Sequence, residues 1–209
     1  MILLYSGANS SDTDQMNPSQ SLGGFVSSTT ISNGLINNIF STVSKSVVVG
    51  NKRETYLVVL KNTTGATVYN VQVWIDNTVE NNHSSLKLAA VSAALDGCSN
   101  PYFEQISSSD AIPYQCVLES ANGQGNAIDV GQIANGDCVG IWMSRTITLE
   151  DFPTANGATK GTSQAAIDAL TASIANPITI DNSNLVINFD TTTTTTTTVA
   201  PTTTTTTLP

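Results

Sequence analysis

The chain has 209 residues and carries 16 Asp and Glu against seven Lys and Arg, a formal charge of −9. Only 11% of its residues are charged, against about 25% in ordinary domains. So few and so scattered positive charges exclude a nucleic-acid binder or a protein held on an anionic membrane. The length fits one domain with arms, and the 40% apolar share supports a real core. No stretch approaches the roughly 20 apolar residues of a membrane helix. The opening "MILLYSGANSSDTDQ" has no basic start and too short an apolar run for a secretory signal, which predicts synthesis in a cytoplasm without export.

Residues 1–45 read as an arm. "MNPSQSLGGFVSSTTISNG" is rich in Ser, Gly and Asn and has little periodicity. In "GLINNIFSTVS", Leu35, Ile36, Ile39, Phe40 and Val43 recur at helical spacing behind Asn33, a capping residue. That spacing predicts a short amphipathic helix, packed on its own domain or docked on a neighbour.

Residues 46–190 read as strands. "SVVVG" and "ETYLVVLKN" are β-branched and aromatic runs ending in turn residues, and Gly65 predicts a hairpin turn. "TVYNVQVWIDN" alternates, with Val71, Val73 and Ile75 on one face and Asn70, Gln72 and Trp74 on the other. "SLKLAAVS" alternates again, "YFEQI", "QCVLE" and "NAIDVG" are shorter, and "DCVGIWMSRTITL" is long with an expected bend at Ser144. Near residues 163–175, Ala166, Ile167, Leu170 and Ile174 predict an inserted helix stopped before Pro177. "LVINFD" returns to strand. Short strands with regular turn signals predict an all-β, antiparallel β-sandwich, Ig-like or jelly-roll-like, with short helices.

Residues 191–209 form a tail in which 14 of 19 residues are threonine. Threonine is stiff at χ1 and prefers extended backbone, yet the tail lacks apolar residues to fold alone. It predicts an extended segment that orders as an added strand on a neighbour, divided at Pro201, with Leu208 filling a small pocket.

Catalytic signals are weak. His83, the single histidine, sits in the polar turn "VENNHSS". Asp12 and Asp14 lack the further ligands of a calcium loop. Glu104, Asp110, Glu119 and Asp129 show no spacing that singles out a glycosidase pair. The Gly-rich stretch at 119–137 has no phosphate-loop Lys. No catalytic, cofactor or metal residue is assigned. Cys98, Cys116 and Cys138 have no metal spacing and read as reduced thiols, with a Cys98–Cys116 bridge as the alternative. Trp74 and Trp142 either pack or line a sugar-binding face. Asn9, Asn62 and Asn82 begin N-glycosylation triplets, which chance explains in a chain this rich in Asn, Ser and Thr.

Ser21–Gly24, Asn37–Phe40, Arg53–Asn62 and Gly140–Arg145, in that order and with "LVINFD" after them, resemble a family of tailed-bacteriophage virion structural proteins. The resemblance covers about residues 20–190 and leaves out the tail. It implies a non-enzymatic β-sandwich component of the particle, with other virion proteins and further copies of itself as partners; it does not fix a place in the particle, where the neck or tail is favoured over head decoration. Leu35, Ile39, Phe40, Arg53, Arg145 and Leu208 are the candidate subunit-interface residues. For the two arginines, a salt bridge within the domain is the competing expectation. The alternative function is a cell-surface or carbohydrate-binding sandwich on a Thr-rich stalk.

Overall fold

The computed structural model describes residues 1–9, 11, 13–31, 39–40, 52–76, 84–92, 102–114, 116–147 and 184–191. The expected helix at 163–175, the "SVVVG" run, His83, Cys98, Asp12, Leu35, the tail beyond Thr191 and Leu208 lie outside these residues, as does the 34–43 segment apart from Ile39 and Phe40.

Nine strands are described: β1 (Ile2–Gly7), β2 (Gly24–Thr30), β3 (Lys52–Lys61), β4 (Val68–Asp76), β5 (Ser84–Ser92), β6 (Tyr102–Phe103), β7 (Ile128–Ile133), β8 (Cys138–Ile147) and β9 (Asn184–Asp190). They form an antiparallel sandwich. One sheet has the order β5-β8-β3-β1-β2-β6 and the other β7-β4-β9.

The run Tyr56-Leu57-Val58-Val59-Leu60 explains how the layers stack. All five residues are buried, because the six-stranded sheet is covered on both faces. Val58 and Leu60, with Ile141 and Met143 of β8, face Val71, Val73 and Ile75 of β4 across the sandwich. Leu57 and Val59, with Trp142, face Phe103 and Ile106 on the far side, under the chain that succeeds β6. Each such side chain fully withdrawn from water contributes roughly 1.5–3 kcal/mol. The two-fold alternation on β4 holds: Val71, Val73 and Ile75 are buried, Asn70 is exposed, and Gln72 and Trp74 are half-buried.

Three local expectations are corrected. Residues 1–31 are not an arm. β1 lies inside the large sheet, pairing Leu3 with Leu60 of β3 and Ser6 with Val26 of β2. "ILLY" is too short to show its periodicity beside the polar stretch after it, but its partners bury Leu4 and Tyr5. Gly65 does not close a hairpin, since β3 and β4 belong to different sheets. β8 does not bend at Ser144; it pairs without a register break to β3 on one side and β5 on the other.

Candidate functional site

The residues that carry the resemblance are used up in the architecture. Ser21 is buried and its Oγ accepts from the Ser6 N–H at 3.2 Å, while the Ser6 Oγ accepts from the Gly23 N–H at 3.1 Å. β1 covers the edge of β3 only from Val59 to Lys61. Beyond it, the Ser21 carbonyl takes the Leu57 N–H at 2.7 Å and the Ser109 carbonyl takes the Thr55 N–H at 2.7 Å. Gly23 has φ +93°, and a Cβ there would collide with the Glu104 carbonyl. The Ser-Leu-Gly-Gly motif is therefore a tight backbone wedge between β1, β3 and the start of the 104–118 segment.

Asn62 ties together two of the connections between the sheets. Its Nδ2 donates to the carbonyls of Ala66 and Ile133, each at 2.8 Å, and its Oδ1 accepts from the Thr64 N–H at 3.0 Å. Its backbone exchanges hydrogen bonds with Asp137 O and Gly136 N, both at 2.9 Å. The first connection, 62–67, and the second, 134–137, thus lie side by side. Asn62 is fully buried, which removes it as a glycan acceptor.

Arg145 and Glu54 stand directly opposite each other on β8 and β3. Glu54 is 1% exposed and Arg145 7%. The Arg145 Nε donates to Glu54 Oε2 at 3.1 Å, and Nη2 donates to the same oxygen. Phe40 caps the guanidinium, with its ring centroid 4.8 Å from Cζ, and leans on Tyr56 at 5.6 Å. One step along the strands, Thr55 Oγ1 and Ser144 Oγ are hydrogen-bonded at 3.0 Å on the opposite face. Of the expected interface residues, Ile39 and Phe40 pack on the domain's own core and Arg145 is sealed inside it. That corrects the reading of Arg145 as a contact offered to a neighbour, while Ile39 and Phe40 are half-buried. Arg53 is half-buried. The carboxyl of nearby Asp110 is held below its usual range, first by the Ser108 hydroxyl and its own backbone and last by the Arg53 charge.

The remaining candidates have local duties. Glu104 accepts from the Tyr114 N–H at 2.6 Å, and Asp129 accepts from the Gly131 N–H at 2.9 Å. Glu119 exchanges backbone bonds with Leu88 on the outer edge of β5. Trp142 is fully buried, which removes it as a sugar platform, and Gly140 beside it makes room for the Phe103 ring. Cys138 is disulfide-bonded, and Cys116 is a free, half-buried thiol whose pKa is pushed up to about 11 by burial and then by Glu104. This bears out the reduced-thiol reading for Cys116 and corrects it for Cys138, and it corrects the Cys98–Cys116 bridge: Cys116 turns inward onto the Phe103–Trp142 cluster, and β8 supplies the bonded sulfur. Among the described residues, no His, Cys, Asp or Glu group is placed to hold a metal ion, and no helix is long and apolar enough to cross a membrane.

One surface stands apart. In the chain after β6, Ile106, Ala111, Cys116 and Leu118 face the core, while Ile112, Tyr114 and Val117 are 53%, 94% and 77% exposed. The loop is anchored by Thr55 to Ser109, by Ala111 N–H to Ser108 O at 3.1 Å, and by Tyr114 to Glu104. Three large apolar side chains are therefore presented to solvent from a tethered base. Sequence reading predicts a short strand at "QCVLE" in this loop, whereas residues 116–119 make only an isolated bridge from Glu119 to Leu88, and it misses Glu54 because the charge sits inside an apolar strand. Comparison of the chain with protein-family models, with curated proteins and with solved structures finds no match.

Proposed function

We propose that this protein is a non-enzymatic structural component of a tailed-bacteriophage virion, joined to neighbouring subunits by its exposed loop and its C-terminal tail. The loop at 112–117 is the observation that carries this reading. Apolar side chains that a fold could bury but instead fixes at the surface mark a contact surface, and aromatic residues are favoured at such contacts. The order of the resembling motifs supports the same assignment, with the neck or tail favoured over head decoration. The test is mass spectrometry of purified particles from the encoding phage. The chain is expected in them, and Tyr114→Ser with Val117→Ser should fold normally yet enter particles several-fold less often. Absence of the chain from particles refutes the proposal.

A second reading, an extracellular sandwich module on a Thr-rich stalk, gains support from the Cys138 disulfide, because such bonds persist in oxidising compartments. Trp74, half-buried on the outer face of β4, is the aromatic it would use. Glycan binding lost in Trp74→Ala would favour this reading over the first.

A further inference from the structure

The two edges of the small sheet are built differently. β7 is interrupted: Gly131 has φ +81°, its pairing with β4 shifts register at Val71, and exposed Asp129 folds onto the Gly131 N–H. Bulges and charges of this kind stop an edge from recruiting another strand. β9 pairs with β4 in unbroken register from Asn184 to Asn188, and that pairing shifts only near its end, between Tyr69 and Gln72 of β4. "NLVINF" contains no Pro, Gly or charge, and the terminal Asp190 is engaged by Asn70 Nδ2 at 2.9 Å. β9 pairs with β4 on one side, and among the described residues nothing pairs with its other side. In an antiparallel strand every second residue turns its N–H and C=O to that open side.

The composition of the chain beyond β9 fits that edge. Residues 191–198 are eight threonines, uncharged and β-branched. The run itself contains no Gly, Asn, Asp or Pro to favour a tight reversal onto its own β9, and the next turn residue after it is Pro201. A reversal at Pro201 returns the second threonine run against the first and leaves β9 uncovered.

We infer that β9 and the first threonine run form one long strand that pairs antiparallel with the same strand of a second copy, about a two-fold axis at Thr191. The lengths match: β9 has seven residues, 184–190, and the run 192–198 has seven. With Thr191 opposite Thr191 of the second copy, residue 190 meets 192, residue 187 meets 195 and residue 184 meets 198. Thr193, Thr195 and Thr197 then set their methyl groups beside Phe189, Ile187 and Leu185, whose side chains pack on the inter-sheet core. Pro201 comes just past the end of the ladder, where the lost N–H is harmless. The contact is self-complementary, as a two-fold interface requires, and joins two small sheets into one of six strands. It brings no charge of either copy opposite a like charge, which matters for a chain of −9.

The inference stands apart from the particle assignment, since it is measured on the isolated chain. In a Cys116→Ser background, Thr191→Cys and Thr195→Cys are each oxidised mildly and run on non-reducing gels, with light scattering of the parent and of a chain ending at Thr191. Facing residues on paired strands lie about 4.5–5.5 Å apart at Cα, within disulfide range. Thr191→Cys should therefore convert most of the chain to a covalent dimer. Two copies of Thr195 would be about 27 Å apart, eight residues along the ladder, and should cross-link at least tenfold less. The parent should be a dimer and the shortened chain a monomer. A monomeric parent, a shortened chain that still dimerises, or equal cross-linking at the two positions overturns the inference. A dimer that is absent from phage particles keeps it and removes the particle reading.

Discussion

Removing one member of the Glu54–Arg145 pair should be among the most damaging single changes in this protein. The side chains are 1% and 8% exposed, so Glu54→Gln takes the Glu54 carboxylate away from a guanidinium held out of water. Breaking such a pair costs about 3–5 kcal/mol. At roughly 2–4 °C per kcal/mol for a chain of this size, the Tm should fall by about 6–20 °C. Arg145→Met should cost a similar amount, and it also removes the guanidinium–Phe40 contact of roughly 0.5–2 kcal/mol. The double variant Glu54→Leu with Arg145→Met removes both charges of the pair together and should return to within about 2 kcal/mol of the parent. Thermal and urea unfolding of the four proteins gives the coupling energy directly. A Glu54→Gln loss below about 1 kcal/mol, the size seen for exposed pairs, refutes the reasoning, because the pair would then be hydrated.

The same cycle tests why the pair exists. An alternating strand is held in register because a one-residue slip puts apolar side chains into water. β3 and β8 are apolar on both faces, so a slip exposes little and the pattern alone leaves their register poorly defined. Glu54 opposite Arg145 and Thr55 opposite Ser144 supply the missing information, one pair on each face. The double apolar variant combined with Thr55→Val and Ser144→Val should remain folded but show a second set of amide resonances for β3 and β8. A single set, as in the parent, refutes the register role.

Gly23→Ala should abolish soluble folding, because the Cβ meets the Glu104 carbonyl in a wedge whose backbone is fixed on both sides. Gly65→Ala, at φ +86° but with no atom within 4 Å, should cost only about 1–2 kcal/mol by urea titration. Asn62→Ala orphans the Ile133 carbonyl and unties the 62–67 connection from the 134–137 connection, and should cost roughly 2–4 kcal/mol in the same assay. For Cys116, the folded thiol titrates near 11 against an ordinary 9.0, so at pH 8 it holds about a hundredfold less thiolate than an unfolded thiol. Alkylation should be slower by that order in the native protein. The raised value means its stabilising contribution is full below about pH 9 and falls away as the pH climbs toward 11, and Cys116→Ala should flatten that limb. Thiol titration of the unfolded, unreduced chain should find one reactive group of three, Cys116.

The sheet character of β3, β4, β5, β8 and β9 was legible because each holds a run of seven or more residues whose β-branched or alternating side chains have no other stable use. β1 and β2 were not, for a physical reason. "ILLY" and "GFVSSTT" are too short or too polar to signal a strand alone, and their burial comes from partners remote in sequence, such as Leu60 and Phe103. The crossover at Asn62 was also hidden. An Asn-Thr-Thr-Gly stretch turns a hairpin as readily as it turns between sheets, and what decides is the second connection at 134–137, which only folding brings alongside. The buried ion pair was half visible, as two arginines each with a competing salt-bridge reading, but nothing local to Arg145 names Glu54, 91 residues away.

The placement of the motif residues changes what a likeness in them conveys. Ser21, Gly23, Asn62, Gly140 and Arg145 each fill a position where substitution would leave a clash, an orphaned backbone group or an unpaired charge. A chain keeps such residues in order to fold, whatever it binds. The motifs therefore carry information about the sandwich, and specificity for a partner has to lie where the fold makes no such demand. Two described surfaces meet that condition. The 112–117 loop could present polar side chains at Tyr114 and Val117 at no cost to its anchors, and β9 could carry a lysine on its outward face as β-edges commonly do. The loop is apolar instead, and β9 is uncharged up to its last residue, Asp190, in a chain whose surface is otherwise hydroxyl- and amide-rich. That choice has no value to a monomer and a direct one to a subunit, so losing the tail and losing the loop should be separable defects: the first in self-association, the second in attachment to a different protein.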